Sequence, residues 1–280
     1  MLRVAAINFL NPAPLMWDFE HPPHSKTLAR RYSLHYTQPS QCAADLLTGR
    51  ADLGLIPVAS LTPELAIVPG CTIASLDQVR SIQLILKAPF TLETVRTVAA
   101  DTASRSSLAY AEILLRKFAG NRPVFHPADA DPIVMLASSD ACLLIGDPAL
   151  LALKARSRIE TVVGPCTWMD LAQLWRRYTG LPWVAAVWAV RPEALQQSAH
   201  AGSALTADLQ DSRDHGLSHI EDLVQQWTPR IGLPPETIRR YLTQNIFYSL
   251  DEDCIRAVQL FRKYAAELDV LPPLPHLRFL

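Results

Sequence analysis

Several features that would point directly to a function are missing from this chain of 280 residues. A formal net charge of -1 provides no electrostatic surface for nucleic acid, and no cluster of Lys and Arg with interleaved aromatics compensates for it. No apolar run approaches the roughly 20 residues that a membrane-spanning helix needs. The segment Met1 to Pro12 enters a strand pattern and lacks the features of a secretion signal. We therefore expect a cytoplasmic protein with no nucleic-acid and no membrane partner.

Metal-binding and nucleophile motifs are scarce as well. The five cysteines are odd in number and widely scattered, which predicts reduced and mostly buried thiols. The eight histidines are spread along the chain and no Cys-x-x-Cys pair occurs, so no transition metal is predicted. A Gly-x-Ser-x-Gly nucleophile elbow is also absent, which leaves hydrolase chemistry with little support.

Alternating strand-like and helix-like segments indicate an α/β protein. Short apolar runs typical of buried strands occupy residues 3–7, 53–56, 82–86, 95–99, 141–145 and 183–190. Helical patterns over residues 40–48, 104–118 and 168–178 are each followed by glycine within two residues. After residue 191 the pattern is helical, over 193–201, 204–214, 217–228, 235–245 and 251–268, and no further strand is predicted.

Two segments, residues 87–91 and 182–185, have the character of crossings between lobes, because they bracket a block with its own strands and helices. This predicts a discontinuous lobe one, 1–88 plus 190–280, and a lobe two over 89–189. Clefts between such lobes lie at the carboxyl ends of strands, where ligands bind. The expected fold is therefore α/β and two-lobed, with a ligand cleft between the lobes and a helical C-terminal region.

The start of the predicted helix at residue 104 is a candidate anion site. Hydroxyl groups and unpaired backbone N–H groups come together there, at the positive end of the helix dipole, and such a place suits a carboxylate or phosphate. The simpler alternative is that Ser104 or Ser106 only caps the helix. The candidate binding residues are Thr102, Ser104, Arg105, Ser106 and Ser107, together with Gly146 farther along the chain.

Further candidates lie next to predicted strands: Asn11 and Asp147 follow one, and Ser81 precedes one. The amide of Asn11 can both donate and accept, although Asn before proline is also a common turn former. Asp147, which follows Gly146, is either a general base or only the N-cap of the next helix. Ser81 is either a donor in the cleft or a surface serine. Trp183 and Trp188 are core residues by default, yet they flank the second crossing, where they could form a wall for a ring-shaped ligand.

Six motifs together resemble the chorismate dehydratase family of the futalosine route to menaquinone, in order and spacing along nearly the whole chain. They occupy residues 7–15, 49–57, 104–107, 144–150, 179–189 and 241–246. The resemblance implies a fold like that of the type II periplasmic solute-binding proteins. It also implies conversion of chorismate to 3-(1-carboxyvinyloxy)benzoate with loss of water, without a metal or an organic cofactor. The segment 191–217 corresponds least well, including the predicted helix 204–214.

Chorismate carries two carboxylates and a ring hydroxyl, which suits a site rich in neutral donors. If the resemblance holds, the base is either Asp147 or the enolpyruvyl carboxylate of the substrate itself, with Asn11 and Ser81 positioning the reacting groups. The second hypothesis is preferred, because a carboxylate at an N-cap is stabilised in its weakly basic ionised form.

Two other functions share the expected fold. One is a transporter's solute-binding protein, against which the missing secretion signal argues. The other is a sister enzyme of the pathway that acts on a nucleoside, which would need a larger cleft with stacking surfaces. The oligomeric state, monomer or homodimer, is left open.

Overall fold

Two mixed β-sheets form the framework of the computed structural model, which describes residues 1–101, 105–196 and 202–280. The first sheet has the order β11-β4-β10-β3-β1-β2 and the second the order β7-β6-β8-β5-β9. The strands of the first sheet are β1 (Leu2–Ile7), β2 (Tyr32–Thr37), β3 (Leu53–Pro57), β4 (Ala66–Ser75), β10 (Trp183–Val190) and β11 (Phe247–Leu250). The strands of the second are β5 (Ile82–Lys87), β6 (Thr97–Asp101), β7 (Val124–Ala128), β8 (Ala141–Ile145) and β9 (Cys166–Asp170).

The helices cover both sheets and dominate the C-terminal part of the chain. They are α1 (Trp17–Glu20), α2 (His24–Leu28), α3 (Pro39–Leu47), α4 (Arg105–Ile113), α5 (Pro132–Ser138), α6 (Gly146–Lys154), α7 (Arg156–Val163), α8 (Leu171–Thr179), α9 (Pro192–Gln196), α10 (Gly202–Ser218), α11 (Ile220–Ile231), α12 (Pro235–Arg240) and α13 (Glu252–Glu267). Short π-helical turns, Leu114–Phe118 and Tyr241–Asn245, continue α4 and α12. None of the helices in the described ranges is long and apolar enough to cross a membrane.

Each of the six predicted strands is present, with ends within about two residues. They are almost entirely buried, and this burial produced the clear apolar signal. Five strands were missed: β2, β4, β7, β9 and β11. Strands β2 and β7 are largely exposed, so their sequences lack an apolar run. The expectation that no strand follows residue 191 was wrong, because β11, four residues long, pairs with the edge of β4.

The observed strand pairing places both crossings between the sheets at positions other than those predicted. Strand β5, which the sequence placed in lobe one, pairs with β8 and β9 in the second sheet. Strand β10, which the sequence placed in lobe two, pairs with β3 and β4 in the first sheet. An apolar run buried on both faces has the same pattern in either sheet, so the sequence did not specify the partner strand. The chain thus crosses between Ser75 and Ile82 and returns after Thr179.

The C-terminal helices also differ from their predicted limits. Instead of two helices over 204–214 and 217–228, α10 continues to Ser218 and α11 begins at Ile220. Ser212 and Gly216 are buried on α10, so its small residues serve packing and do not mark a break. Between Pro14 and Gly216 the contact is so close that a Cβ on the glycine would lie 2.1 Å from the Pro14 carbonyl oxygen.

Candidate functional site

A cleft lies between the two sheets and is lined by residues from both. It contains about 440 Å³ of space not filled by protein atoms, part of it open to solvent. From the side of the first sheet come Ile7, Phe9, Asn11, Pro39, Pro57, Ile73, Trp183, Ala185 and Ala186. From the side of the second sheet come Ser81, Ile82, Ser107, Ile145 and Gly146. The predicted interlobe position of the cleft is therefore correct.

The cleft wall is neutral. Over the described ranges, no Asp, Glu, His, Lys or Arg lines it. Two of its polar atoms are buried without a hydrogen-bond partner in the described structure, Asn11 Oδ1 and Trp183 Nε1. A buried polar atom without a partner is costly. An acceptor and a donor without partners thus belong to residues of the cleft wall, and Trp183 joins Asn11 as a candidate binding residue. Trp188, also predicted as a possible wall, is buried in the core and does not line the cleft.

Phe9 and Gly146 close the cleft from opposite sides. Gly146 has a φ of 64°, which a side chain disfavours. A Cβ at this position would also lie 2.9 Å from Cε2 of the Phe9 ring. Both the backbone conformation and the lack of space therefore require glycine. Because glycine has no side chain, the loop that follows β1 can approach the end of β8. Phe9 was not singled out from the sequence, although it belongs to the first of the six motifs.

Asp147 links the same two segments. The predicted N-cap role is wrong, because α6 already begins at Gly146 and the cap position, Ile145, makes no side-chain cap. Instead, Asp147 Oδ1 accepts a hydrogen bond from the backbone N–H of Leu10 at 3.2 Å. Burial raises the pKa of Asp147 to about 6, and the Leu10 hydrogen bond opposes this rise only in part. The carboxylate holds the Phe9–Leu10 loop, and it is more basic than an N-cap carboxylate.

Ser81 is a buried cleft residue, which settles the choice between cleft and surface. Its carbonyl accepts the N–H of Gly146 at 2.7 Å, and its side chain hydrogen-bonds Tyr241. Tyr241 is fully buried, and burial together with the negative charge of Asp147 holds its pKa well above the ordinary value. Tyr241 opens the last of the six motifs, which is the signal that could have identified it as a neighbour of the site.

Asp170 stabilises the backbone segment that precedes Ser81. Its carboxylate caps α8 through the N–H groups of Ala172 and Gln173. The same carboxylate accepts the N–H of Val79 at 3.2 Å and the N–H of Arg80 at 2.6 Å. Arg80 has a positive φ of 63°, so these bonds stabilise a strained segment between the sheets. The sequence did not reveal this role, because the partners are about 90 residues apart.

The candidate residues at the start of α4 have different roles. Ser107 is buried and lines the cleft. Ser106 is buried too, but its Oγ accepts the N–H of Ala59 at 3.1 Å, which ties α4 to the first sheet's side. Arg105 is exposed and does not line the cleft. The other two candidates, Thr102 and Ser104, lie outside the described residues.

Histidines cluster away from the cleft, contrary to expectation. The rings of His21 and His219 both stack on Trp17, with centroid distances of 3.7 and 4.5 Å. Next to them lie His24 and His215, with ring centroids 4.8 Å apart. The sequence reading missed that His215 and His219 are one helical turn apart and that the chain folds back to bring residues 21 and 24 beside them.

Two sheets joined by crossings, with a neutral cleft between them, define the class of periplasmic-binding-protein-like folds. Protein AF1704 of Archaeoglobus fulgidus superposes with a TM-score of 0.73 at 15% identity, covering 96% of this chain and 98% of that one. The aliphatic sulphonate binding protein SsuA of Escherichia coli superposes with a TM-score of 0.65 at 15% identity, covering 97% and 88%. At these identities the likeness concerns the fold alone.

Sequence comparison identifies the family within that class. The model of a family described as menaquinone biosynthesis matches residues 2–267, and the chain belongs to this family. A curated relative, chorismate dehydratase of Thermus thermophilus, is 28% identical over 242 residues, which cover 82% of this chain and 86% of the relative. The predicted family and fold are confirmed.

Proposed function

We propose that this protein is a hydro-lyase that converts chorismate to 3-(1-carboxyvinyloxy)benzoate and water. Membership of the menaquinone biosynthesis family and similarity to a chorismate dehydratase support this function. The structural observation that carries it is the neutral interlobe cleft with buried, unpartnered atoms at Asn11 and Trp183, within the described residues. Such a cleft suits a small, ring-shaped ligand that brings its own charges.

Neutral donors would hold the two carboxylates of the substrate. Candidates are the Trp183 indole N–H, the Ser107 hydroxyl and the backbone N–H groups at the start of α4. Hydrogen bonds from fixed dipoles to a carboxylate are strong where water is excluded. Asn11 and Ser81 would position the leaving hydroxyl and the enolpyruvyl carboxylate.

The reaction needs little from the protein beyond orientation and charge stabilisation. Loss of the ring proton next to the enolpyruvyl ether leaves negative charge that is vinylogous to the ring carboxylate, where donors can stabilise it. Departure of the neighbouring hydroxyl then makes the ring aromatic, and the proton and the hydroxyl together form water. Because aromatisation supplies the driving force, holding one conformer in place contributes much of the remaining acceleration.

The enolpyruvyl carboxylate of the substrate is the base in this proposal. The cleft wall, as far as it is described, offers no carboxylate and no imidazole, whereas the substrate brings a carboxylate close to the proton that is removed. Asp147 lies behind the wall with one oxygen bound to the Leu10 N–H. In this proposal it acts as a positioning residue for the Phe9–Leu10 loop. From the sequence, a predicted role as N-cap argued against Asp147 as the base. Here its position behind the cleft wall argues against it.

Incubation of the purified protein with chorismate tests the function. We expect an aromatic product, followed by its ultraviolet absorbance and identified by mass spectrometry as chorismate less one water. Asn11→Ala should reduce kcat/KM by about 100-fold or more, as expected for loss of a positioning group. Asn8→Ala is the matched control, because Asn8 is exposed and lies in the same loop.

Two results would contradict the proposal. Chorismate binding without turnover would indicate a solute-binding protein, and turnover of a futalosine-type nucleoside with no reaction of chorismate would indicate the sister enzyme. Equal activity of the Asn11→Ala and Asn8→Ala variants would remove Asn11 from the site while leaving the overall reaction in place.

A further inference from the structure

A second polar site lies behind the loop that carries Asn11, where α1, α2 and α10 meet. The Asp18 side chain is only 5% exposed, and Nδ1 of His215 lies 2.9 Å from its Oδ2. Nδ1 of His24 lies 4.0 Å from the same oxygen. The ligand atoms of the three residues all lie within 4.8 Å of one another. One carboxylate oxygen and two imidazole nitrogens therefore surround a common space.

The charge of Asp18 lacks a permanent counterion. Among the residues described, no Lys or Arg approaches its carboxylate within 4.0 Å, and its close charged or chargeable partners are the two imidazoles. Burying a carboxylate without compensation is costly. The two imidazole rings lie side by side at this carboxylate, with centroids 4.8 Å apart. A divalent cation held between the imidazole nitrogens and the carboxylate oxygen would balance the negative charge of Asp18.

The adjoining cavity favours the same occupant. Three carboxylates line it, those of Asp18, Asp208 and Asp211, against the single guanidinium of Arg31. Arg31 is already paired with Asp208, at 2.8 Å. The local charge is therefore negative, and the cavity, with about 450 Å³ of unfilled space that includes open solvent, can supply water.

The geometry points to a binding site for one Zn²⁺ ion, formed by Asp18 Oδ2, His24 Nδ1 and His215 Nδ1, with water from the cavity as the fourth ligand. Two nitrogen donors and one oxygen donor suit a borderline divalent ion of this kind. In a tetrahedral site, bonds of about 2.0–2.2 Å place the ligand atoms about 3.3–3.6 Å from one another. The His24 ring, whose side chain is 52% exposed, would turn toward Asp18 to reach this distance. Nδ1 of His215, now 2.9 Å from Asp18 Oδ2, would move slightly away from it.

A bound ion would link α1 and α2 to α10. These helices lie directly behind the cleft: α1 follows the 3-10 turn Ala13–Met16, which continues from the Asn11 loop, and α10 packs on that turn through Gly216. The ion would therefore stabilise the segment that supports Asn11. The site stands apart from the proposed reaction, since none of its three ligands lines the cleft.

Titration of the full-length, tag-free protein with Zn²⁺ after chelator treatment tests the site. We expect one ion to bind, a rise in Tm that Mg²⁺ does not produce, and Co²⁺ d–d bands of the intensity typical of four-coordination. His24→Gln should weaken Zn²⁺ binding by at least about 100-fold, the upper end of losses on removing an outer-shell partner. His126→Gln, at an exposed histidine outside the cluster, should leave binding unchanged.

The His24 variant decides the outcome, because its exposed ring can be replaced without disturbing the core. Zn²⁺ binding that is equally tight in wild type and His24→Gln would overturn the site. So would a wild type that binds no Zn²⁺, or a Co²⁺ complex with the strong charge-transfer bands of a thiolate ligand. Asp18→Asn should give the same loss where it folds, and circular dichroism checks that it does.

Discussion

At the scale of single residues, Asp147 is the group whose role differs most from its predicted one. Its carboxylate does not cap a helix; it holds the Leu10 N–H of the loop that closes the cleft. Burial makes it more basic, with a pKa of about 6, while its position behind the wall separates it from the reacting atoms. Basicity alone favours a role as general base, and position favours a supporting role. The two can be separated experimentally.

Replacing Asp147 by Asn tests the identity of the base. Asn keeps an oxygen acceptor for the Leu10 N–H but cannot take a proton at neutral pH. If the substrate's carboxylate is the base, we expect kcat to fall by no more than about tenfold, and Asp147→Leu, which removes the acceptor, to raise KM further. Steady-state kinetics with chorismate measure both. A loss beyond about a thousandfold in kcat with intact binding would make Asp147 the base.

The same carboxylate makes stability depend on pH. Its pKa is raised from 3.8 to about 6 in the folded protein, so the folded state favours the protonated form. The stabilisation is complete below the ordinary pKa of Asp and is lost as pH rises through about 6. Two pKa units correspond to about 3 kcal/mol, and partial solvent access reduces this to about 1–3 kcal/mol.

Urea unfolding of wild type and Asp147→Asn at about pH 4 and about pH 8 measures this effect. We expect the variant to gain stability relative to wild type at the higher pH, since Asn carries no charge to bury. Other titrating groups are common to both proteins and cancel in the comparison. An equal stability difference at both pH values would contradict the raised pKa.

Ser106 and Ser107 are neighbours with separable roles. Ser106→Ala leaves the buried N–H of Ala59 without its acceptor, so we expect a loss of about 1–3 kcal/mol in stability. Ser107→Ala, in the cleft wall, should raise KM for chorismate by roughly tenfold, the value of one hydrogen bond to a charged group. Thermal unfolding and kinetics on both variants give the comparison. A raised KM in Ser106→Ala together with a loss of stability in Ser107→Ala would contradict these assignments.

At the scale of elements, the sequence predicted the strands that are buried and missed those whose pattern is weak. The apolar run of β8 was evident because all five of its residues are buried. Strand β7 has no fully buried residue, and its existence depends on pairing with β6. Asn11 and Gly146 belong to family motifs and Ser81 adjoins a predicted strand, and all three line the cleft. Contacts between distant segments, such as Asp170 with Val79 and Arg80, depend on tertiary structure and leave no local pattern.

The junction of β8 and α6 illustrates how an element end forms part of the site. Gly146→Ala and Gly120→Ala introduce the same left-handed strain, at φ values of 64° and 66°, worth about 1–2 kcal/mol each. Only Gly146 faces an obstacle, the Phe9 ring at 2.9 Å, whereas a Cβ at Gly120 meets nothing within 4 Å. We expect both variants to lose stability, Gly146→Ala the more, and only Gly146→Ala to lose activity. Equal activity of the two variants would show that the Phe9 contact does not serve the reaction.

At the scale of the whole molecule, the two sheets are joined by a shared core as well as by the cleft loops. Tyr110 of α4 stacks on Phe261 of α13, with centroids 4.1 Å apart, and both rings are fully buried. Tyr110 also packs edge-on against Trp175 at 4.8 Å. This interface lies in the main hydrophobic cluster, which includes residues from both sheets. We therefore expect movement between the lobes to be easier at the cleft rim, where the Leu10–Asp147 hydrogen bond and the Phe9 ring beside Gly146 connect the two sides.

Ligand binding should accordingly slow hydrogen exchange at both rims of the cleft and leave hydrogen exchange in the shared core unchanged. With the reaction product bound, we expect slower hydrogen exchange in peptides covering residues 7–12 and 142–150, which lie on opposite sides of the cleft. Peptides from α7, which contributes no residue to the cleft wall, serve as the internal control. Protection of only one rim would mean that the ligand binds to one lobe. Protection that persists unchanged in Gly146→Ala would mean that the Phe9 contact is not what couples the two rims, because that substitution places a Cβ where the ring lies.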